Sequence, residues 1–134
     1  MAMNDDSLAV VRRAYDCYRK HDIAGLLQLI GRDCDWRSPG IETDMPWAGT
    51  YRGPEEVREF FHTLEQNLEP LEFTPGEYLA RDDTVMVRGR ERDRAKKTGK
   101  EFEVDWAHFF QVREGKIVRF QDYQDTAIIQ AALH

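Results

Sequence analysis

Cysteine is scarce in this chain. Cys17 and Cys34 are the only two among 134 residues, and their separation fits neither a metal-ligand pair nor a redox motif. No disulfide framework is expected, and a reducing compartment keeps both as thiols at partly buried positions. Histidine is sparse as well: His21, His62, His108 and His134 are scattered, with no HExxH pair among them, so no zinc ligand set is in view. Long apolar runs are missing, and none approaches the ~20 residues of a membrane-spanning helix. GxGxxG, P-loop and GxSxG motifs are also missing. Nucleotide binding and serine-hydrolase chemistry therefore have no support, and the sequence implies no cofactor and no metal. Positive charge is in deficit. Nineteen Lys plus Arg against 25 Asp plus Glu gives a net charge of −6, which argues against nucleic acid and anionic membranes as partners. The opening MAMNDDSLAV lacks a basic segment followed by an apolar one, so no signal peptide is expected. The chain reads as cytoplasmic, with Met1 to Asp5 as a loose leader.

What is present is an ordinary globular composition, 41% hydrophobic and 33% charged, of a length that suits one domain over residues 1–134. Residues 7–20 carry Leu8, Val11, Tyr15 and Tyr18 at helical spacing, with NDDS ahead of them as capping side chains. Asp22 can cap a second short helix, IAGLLQLI, and Gly31 can end it in a left-handed conformation. DCDWRSP reads as a brief strand. Pro39 to Gly53 reads as an irregular loop, long enough to be a lid whose apolar edge is Ile41, Met45 and Trp47. Pro54, Glu55 and Glu56 open a third helix, since proline suits the first turn and carboxylates complement the helix dipole. Val57, Phe60, Phe61, Leu64 and Leu68 give that helix its apolar stripe, and Pro70 closes it. From there the period is two. Strands are expected at 71–81, 84–95, 101–112 and 116–124, joined by short turns into an antiparallel meander. DTAIIQAAL reads as a terminal helix, with Asp125 as its cap. The fold class is α+β, three N-terminal helices packed on a curved, mainly antiparallel sheet.

The strand pattern also sorts polar residues by face. Arg88, Arg90, Arg92 and Arg94 share one side of their strand, where they are either solvated or paired with carboxylates of another subunit. Phe109, Gln111, Ile117 and Tyr123 are expected on the same outer face. A mixed aromatic and arginine surface suits an interface, so a homodimer through the outer sheet face is expected. The inner face holds an anomaly. His108 is in register with Val104, Trp106, Phe110 and Val112, and Asp122 with Val118 and Phe120. Counting outward from the turn at Glu114 and Gly115, residue 108 pairs with residue 121 or 122. Directly opposed residues lie roughly 5 Å apart, so imidazole and carboxylate can meet.

The helix–helix–strand–loop–helix–meander order, the RGPEEVREFF helix start and the EGKIVRFQDYQD ending together resemble the nuclear transport factor 2-like superfamily. More narrowly they resemble its SnoaL-like branch, which includes polyketide cyclases, ketosteroid isomerases and limonene epoxide hydrolases. The resemblance spans almost the whole chain and implies a cone-shaped, cystatin-like domain with a pocket at one end. Activity does not follow from it, because the fold hosts many chemistries and non-enzymes. The isomerase base position reads Ser38, its oxyanion tyrosine falls near Ala14, and its proton-donating aspartate falls near Ala107. All three roles are unfilled, although Tyr15 and Tyr18 are close to the second. The epoxide hydrolase pattern matches Asp122 and places its other aspartate at Glu91. Its arginine falls at Gly89, which cannot serve, and its water-orienting residues fall near Trp36 and Ser38. The cyclase acid/base position fits Asp125, with His108 as a loose match for the histidine of a neighbouring strand.

These readings converge on a cofactor-free acid–base pocket that isomerises, cyclises or hydrates a small apolar, ring-bearing molecule. Asp122 is the principal acid/base, with His108 or Glu91 assisting. Trp36, Ser38, Trp47, Tyr15, Tyr18, Phe60, Phe61, Trp106, Phe110 and Phe120 are the expected substrate-binding wall. The bland alternatives stand beside this: His108 as a satisfied core residue, Glu91 paired to an arginine, Asp125 as a cap only, and Trp47 as a gap filler. The rival function is a non-catalytic ligand-binding or dimeric assembly module.

Overall fold

The computed structural model describes residues 3–134, with side chains from Asp6 onward. Part of the expected leader, Met1 and Ala2, lies outside the described residues. In chain order the elements are α1 (Met3–Arg19), α2 (Ile23–Leu27), β1 (Ile30–Ser38), β2 (Gly49–Arg52), α3 (Gly53–Asn67), β3 (Leu68–Arg81), β4 (Thr84–Ala95), β5 (Glu101–Arg113), β6 (Lys116–Gln124) and α4 (Thr126–Leu133). The strands form one curved, unclosed sheet in the order β2-β1-β6-β5-β4-β3. Neighbours are antiparallel throughout except β1 and β6, which run parallel. Helices α1 and α3 pack on the sheet, which makes the domain α+β. Among the described residues no helix is long and apolar enough to cross a membrane.

The periodicities place the core. Val11, Ala14 and Tyr15 of α1 and Val57, Phe60 and Phe61 of α3 are buried. Along β5 burial alternates strictly, with Phe102, Val104, Trp106, His108, Phe110 and Val112 all inside. Asp22 caps α2 by accepting from the Gly25 N–H at 2.9 Å. Asp125 caps α4 by accepting from the Ala127 and Ile128 N–H groups. Glu114 and Gly115 both take positive φ at the β5–β6 turn, as a tight hairpin requires.

Several expectations are corrected. NDDS lies within α1, which already runs from Met3, so it does not precede the helix. Helix α2 ends at Leu27, and Gly31 is a strand residue with ordinary φ. A Cβ there would come within 3.2 Å of the Ile117 carbonyl, so the glycine serves close approach of β1 to β6. The Pro39–Gly53 segment contains a strand, β2, and its Met45 and Trp47 are buried core residues while Ile41 is exposed. Of the expected apolar edge, two of three residues are packed into the core. Pro70 does not end α3: the chain turns extended at Leu68, and the proline sits inside β3. Ile117 is fully buried. The register of β5 with β6 shifts between Gln111 and Val112, and this bulge moves Ile117 into the core in place of Val118. The arginines of β4 are paired, but within this chain: Arg88 with Glu77, Arg90 with Glu103 and Asp105, Arg92 with Glu72 and Glu101, and Arg94 with Glu69 and Glu101.

Candidate active site

His108 and Asp122 are opposite partners across β5 and β6. Both are buried, at 8% and 7% exposure, and His108 Nε2 lies 3.1 Å from Asp122 Oδ1. The pair is in close contact, yet Oδ1 has no hydrogen-bond partner. Gln124 donates to the other oxygen, Oδ2. On the far side of the imidazole, Nδ1 is 2.8 Å from the Tyr15 hydroxyl. A carboxylate beside Nε2 favours the tautomer with its proton there, because a lone pair would face negative charge. Nδ1 is then the acceptor and Tyr15 donates. Burial pushes the Tyr15 phenol far above its usual range, which keeps it a neutral donor. The ring itself is stacked on Trp106, with centroids 3.9 Å apart and planes 12° off parallel.

A second acidic group faces the same space from β4. Glu91 and Asp93 are two apart and therefore on one face. Glu91 is partly exposed as a residue, yet its carboxyl is withdrawn from water. Desolvation first, then the charge of Asp93, the hydrogen bond to it and the charge of Asp122, hold its pKa well above the carboxylate range. Asp93 is 2% exposed. Burial raises its pKa while the hydrogen bond from Glu91 opposes that rise. Burial thus disfavours ionising either carboxyl, and Glu91 more strongly because the charges of Asp93 and Asp122 add to its desolvation.

These groups surround a cavity of about 90 Å³. Its wall contains Glu91, His108, Asp122, Trp36, Ser38, Trp47, Tyr15, Tyr18, Phe60, Phe61, Phe110 and Phe120, so twelve of the expected site residues are brought together. Trp36 and Phe120 stack at 3.9 Å on neighbouring parallel strands. Trp106 is the exception: it does not line the cavity, and it backs His108 from behind. Asp125 is also absent from the wall, because its carboxylate is spent on the α4 cap. Asp93 and Gln124 belong to the wall and were missed as site residues. Their signal was present, since Asp93 shares its strand face with Glu91, and Gln124 follows Asp122 by two. An adjoining cavity of about 220 Å³ shares Tyr18, Phe61, Leu64, Leu68, Glu91 and Asp93 with the first.

Unpaired polar atoms mark the inner cavity. Among the described residues, buried side-chain atoms without a partner are Trp36 Nε1, Ser38 Oγ, Asp93 Oδ2, Trp106 Nε1, Asp122 Oδ1 and Gln124 Oε1. All but that of Trp106 belong to residues of this wall. Buried polar atoms left unpaired cost stability, and here they are concentrated where a ligand or water can satisfy them. Among the described residues no three His, Cys, Asp or Glu side chains converge as a metal-ligand set.

The wall offers Ser38 where an isomerase has its aspartate base. Gly89 faces the Trp106 indole so closely that even a Cβ would come within 2.3 Å of it, which leaves no room for the arginine of an epoxide hydrolase.

Comparison with solved structures places this chain among nuclear transport factor 2-like folds. It is similar to a nuclear transport factor 2-like protein of Burkholderia thailandensis, with 29% identity, a TM-score of 0.87 and 96% of this chain covering 97% of that one. A nuclear transport factor 2-like protein of Burkholderia xenovorans gives 27% identity, a TM-score of 0.87 and 98% coverage of both chains. A putative polyketide cyclase of Xanthomonas campestris shares the fold at 14% identity, with a TM-score of 0.82, covering 99% of this chain and 100% of that one. No functionally curated protein matches. The model of the SnoaL-like domain matches residues 11–120, most of the chain, and the chain belongs to that family.

Proposed function

We propose that the protein is a cofactor-free acid–base catalyst acting on a small, ring-bearing molecule held in the aromatic cavity. The observation that carries the reading is the chain from Tyr15 through His108 to Asp122, which ends on an unpaired carboxylate oxygen in that cavity. In this reading Asp122 Oδ1 takes a proton from a carbon next to a carbonyl, or from a water. His108, fixed by Tyr15 and Trp106, holds the carboxylate in place. Glu91 is kept in its acid form by burial and by Asp93, so it can hydrogen-bond or protonate the oxygen on which charge develops. Two carboxyls in environments that assign one as acid and one as base are the pattern such chemistry needs. Isomerisation, cyclisation and epoxide hydration all fit this acid–base pair.

Size narrows the ligand. An apolar cavity of ~150 Å³ accepts benzene, and the inner cavity is smaller at about 90 Å³. One small ring extending into the adjoining space fits, whereas a fused tetracycle needs side chains to move.

The test follows deuterium exchange by NMR in D2O across a panel of small cyclic ketones, with epoxide opening scored in parallel. Asp122→Asn is expected to lower the rate on any accepted compound by about 10²–10⁴-fold while the folded spectrum is retained. A variant that keeps wild-type turnover removes Asp122 from the role. The rival reading, a ligand-binding module without turnover, predicts saturable binding of such compounds with no exchange in either protein.

A further inference from the structure

The proposed chemistry uses Asp122, His108, Tyr15 and the proton of Glu91. It leaves the Asp93 carboxyl unused. Asp93 is 2% exposed, and its Oδ2 has no partner, while the residue lines both the inner and the adjoining cavity. Among the described residues no lysine or arginine lines the inner cavity, so this carboxylate has no counter-cation there. In the adjoining cavity the basic residues are His21 and Lys96, and the Lys96 ammonium is engaged by the Glu65 carbonyl. Around the carboxylate the walls are aromatic. Tyr18 and Phe61 line both cavities, with ring centroids 5.9 Å apart, and Phe73 lies 4.9 Å from Tyr18. A buried carboxyl with an unpaired oxygen and no lysine or arginine beside it in the inner cavity, bordered by π faces, is a setting in which an ammonium group is stabilised twice, by ion pairing and by cation–π attraction.

We propose that Asp93 Oδ2 seats a protonated amine of the ligand, so that the compound taken is a small ring carrying an ammonium group. The inference rests on the reading of this cavity as a small-molecule site and names the class it selects. In it the ring occupies the inner cavity near Asp122 and the ammonium group lies at the junction of the two cavities. Anionic compounds are excluded by the three carboxyl groups of the wall.

The test compares benzylamine, benzyl alcohol and benzoate at neutral pH, three probes of similar shape and charge +1, 0 and −1. Binding is read by calorimetry and by quenching of tryptophan fluorescence, since Trp36 lines the site. The expected result is benzylammonium at least tenfold tighter than benzyl alcohol, with no measurable benzoate binding. Asp93→Asn should bring the amine down to the level of the alcohol while alcohol binding persists, which doubles as the check that the variant folds. Tyr18→Leu is the second variant, expected to lower amine affinity several-fold relative to the alcohol. Equal affinity for amine and alcohol in the wild type, or an amine preference surviving in Asp93→Asn, overturns the inference and leaves the pocket standing. Failure of all three probes to bind overturns the pocket reading along with it.

Discussion

The Glu91 carboxyl keeps its proton because ionising it would place a second negative charge beside Asp93 and a third near Asp122, away from water. That choice has a consequence for stability. Glu91 and Asp93 both have folded pKa values raised above the unfolded ones, so the folded state binds protons more readily. Their contribution is most favourable below the unfolded pKa, near 4, and is lost as pH rises through the folded values. Asp35, Asp83 and Glu101 work the other way. Hydrogen bonds to Arg37, to Arg113 and to Arg94 respectively hold them low, and what they contribute is lost only in more acidic solution. As pH rises above the unfolded carboxylate range, the raised pair lowers stability while the lowered groups keep their contribution. Urea midpoints should therefore fall in that direction in the wild type. The Glu91→Gln, Asp93→Asn double variant should show a flatter profile. An unchanged slope in the double variant would mean that other groups set it.

At the scale of elements, the site depends on how two strands bring side chains across a hairpin and how a third clears space for them. The tight turn at Glu114 and Gly115 starts the β5–β6 pairing, and the register shift between Gln111 and Val112 moves it by one residue, so that His108 opposes Asp122 and not Gln121. Strand β4 contributes by absence. Gly89 pairs with Trp106, and the indole lies flat where a side chain would be, which lets it support the His108 ring. Gly89→Ala would push a methyl into the indole and to within 2.8 Å of the Thr74 carbonyl. Overpacking of this kind costs about 1–3 kcal/mol. The expected outcome is a lowered urea midpoint together with a perturbed His108 imidazole signal in NMR. A silent substitution would mean that the indole has room to move and does not hold the imidazole.

For the whole molecule, the outer sheet face is the surface that carries the β4 arginines. Its arginines are already neutralised by glutamates and aspartates of flanking strands, and the side chains are largely exposed. Such pairs are worth about 0–1 kcal/mol each. They keep the surface soluble and leave little charge for a partner. An apolar row crosses the same face, with Leu79, Met86 and Phe109 in cross-strand register, Leu79 and Met86 exposed, and Tyr123 exposed two strands away from Met86. We propose that this row seats a second copy of the chain. Sedimentation should return twice the monomer mass, and Met86→Glu should return the monomer. A wild-type monomer at high concentration rules the assembly out.

Periodicity and turn residues fixed much of the molecule before any tertiary contact was known. The inward row of β5, the stripes of α1 and α3, the caps at Asp22 and Asp125 and the inward direction of His108 and Asp122 all follow from local spacing, because side-chain direction in helices and strands is set by the backbone period, whereas the direct pairing of those two residues needs the bulge. What local spacing could not give depends on neighbours distant in sequence. The β6 bulge that buries Ile117, the capture of Trp47 by the core, the strand hidden in the Pro39–Gly53 segment and the parallel pairing of β1 with β6 are decided by which surfaces meet. The acid form of Glu91 belongs to the same class. Its charge state is set by desolvation and by two other carboxyls, Asp93 on its own strand and Asp122 two strands away, and only the folded chain brings the three into one cavity.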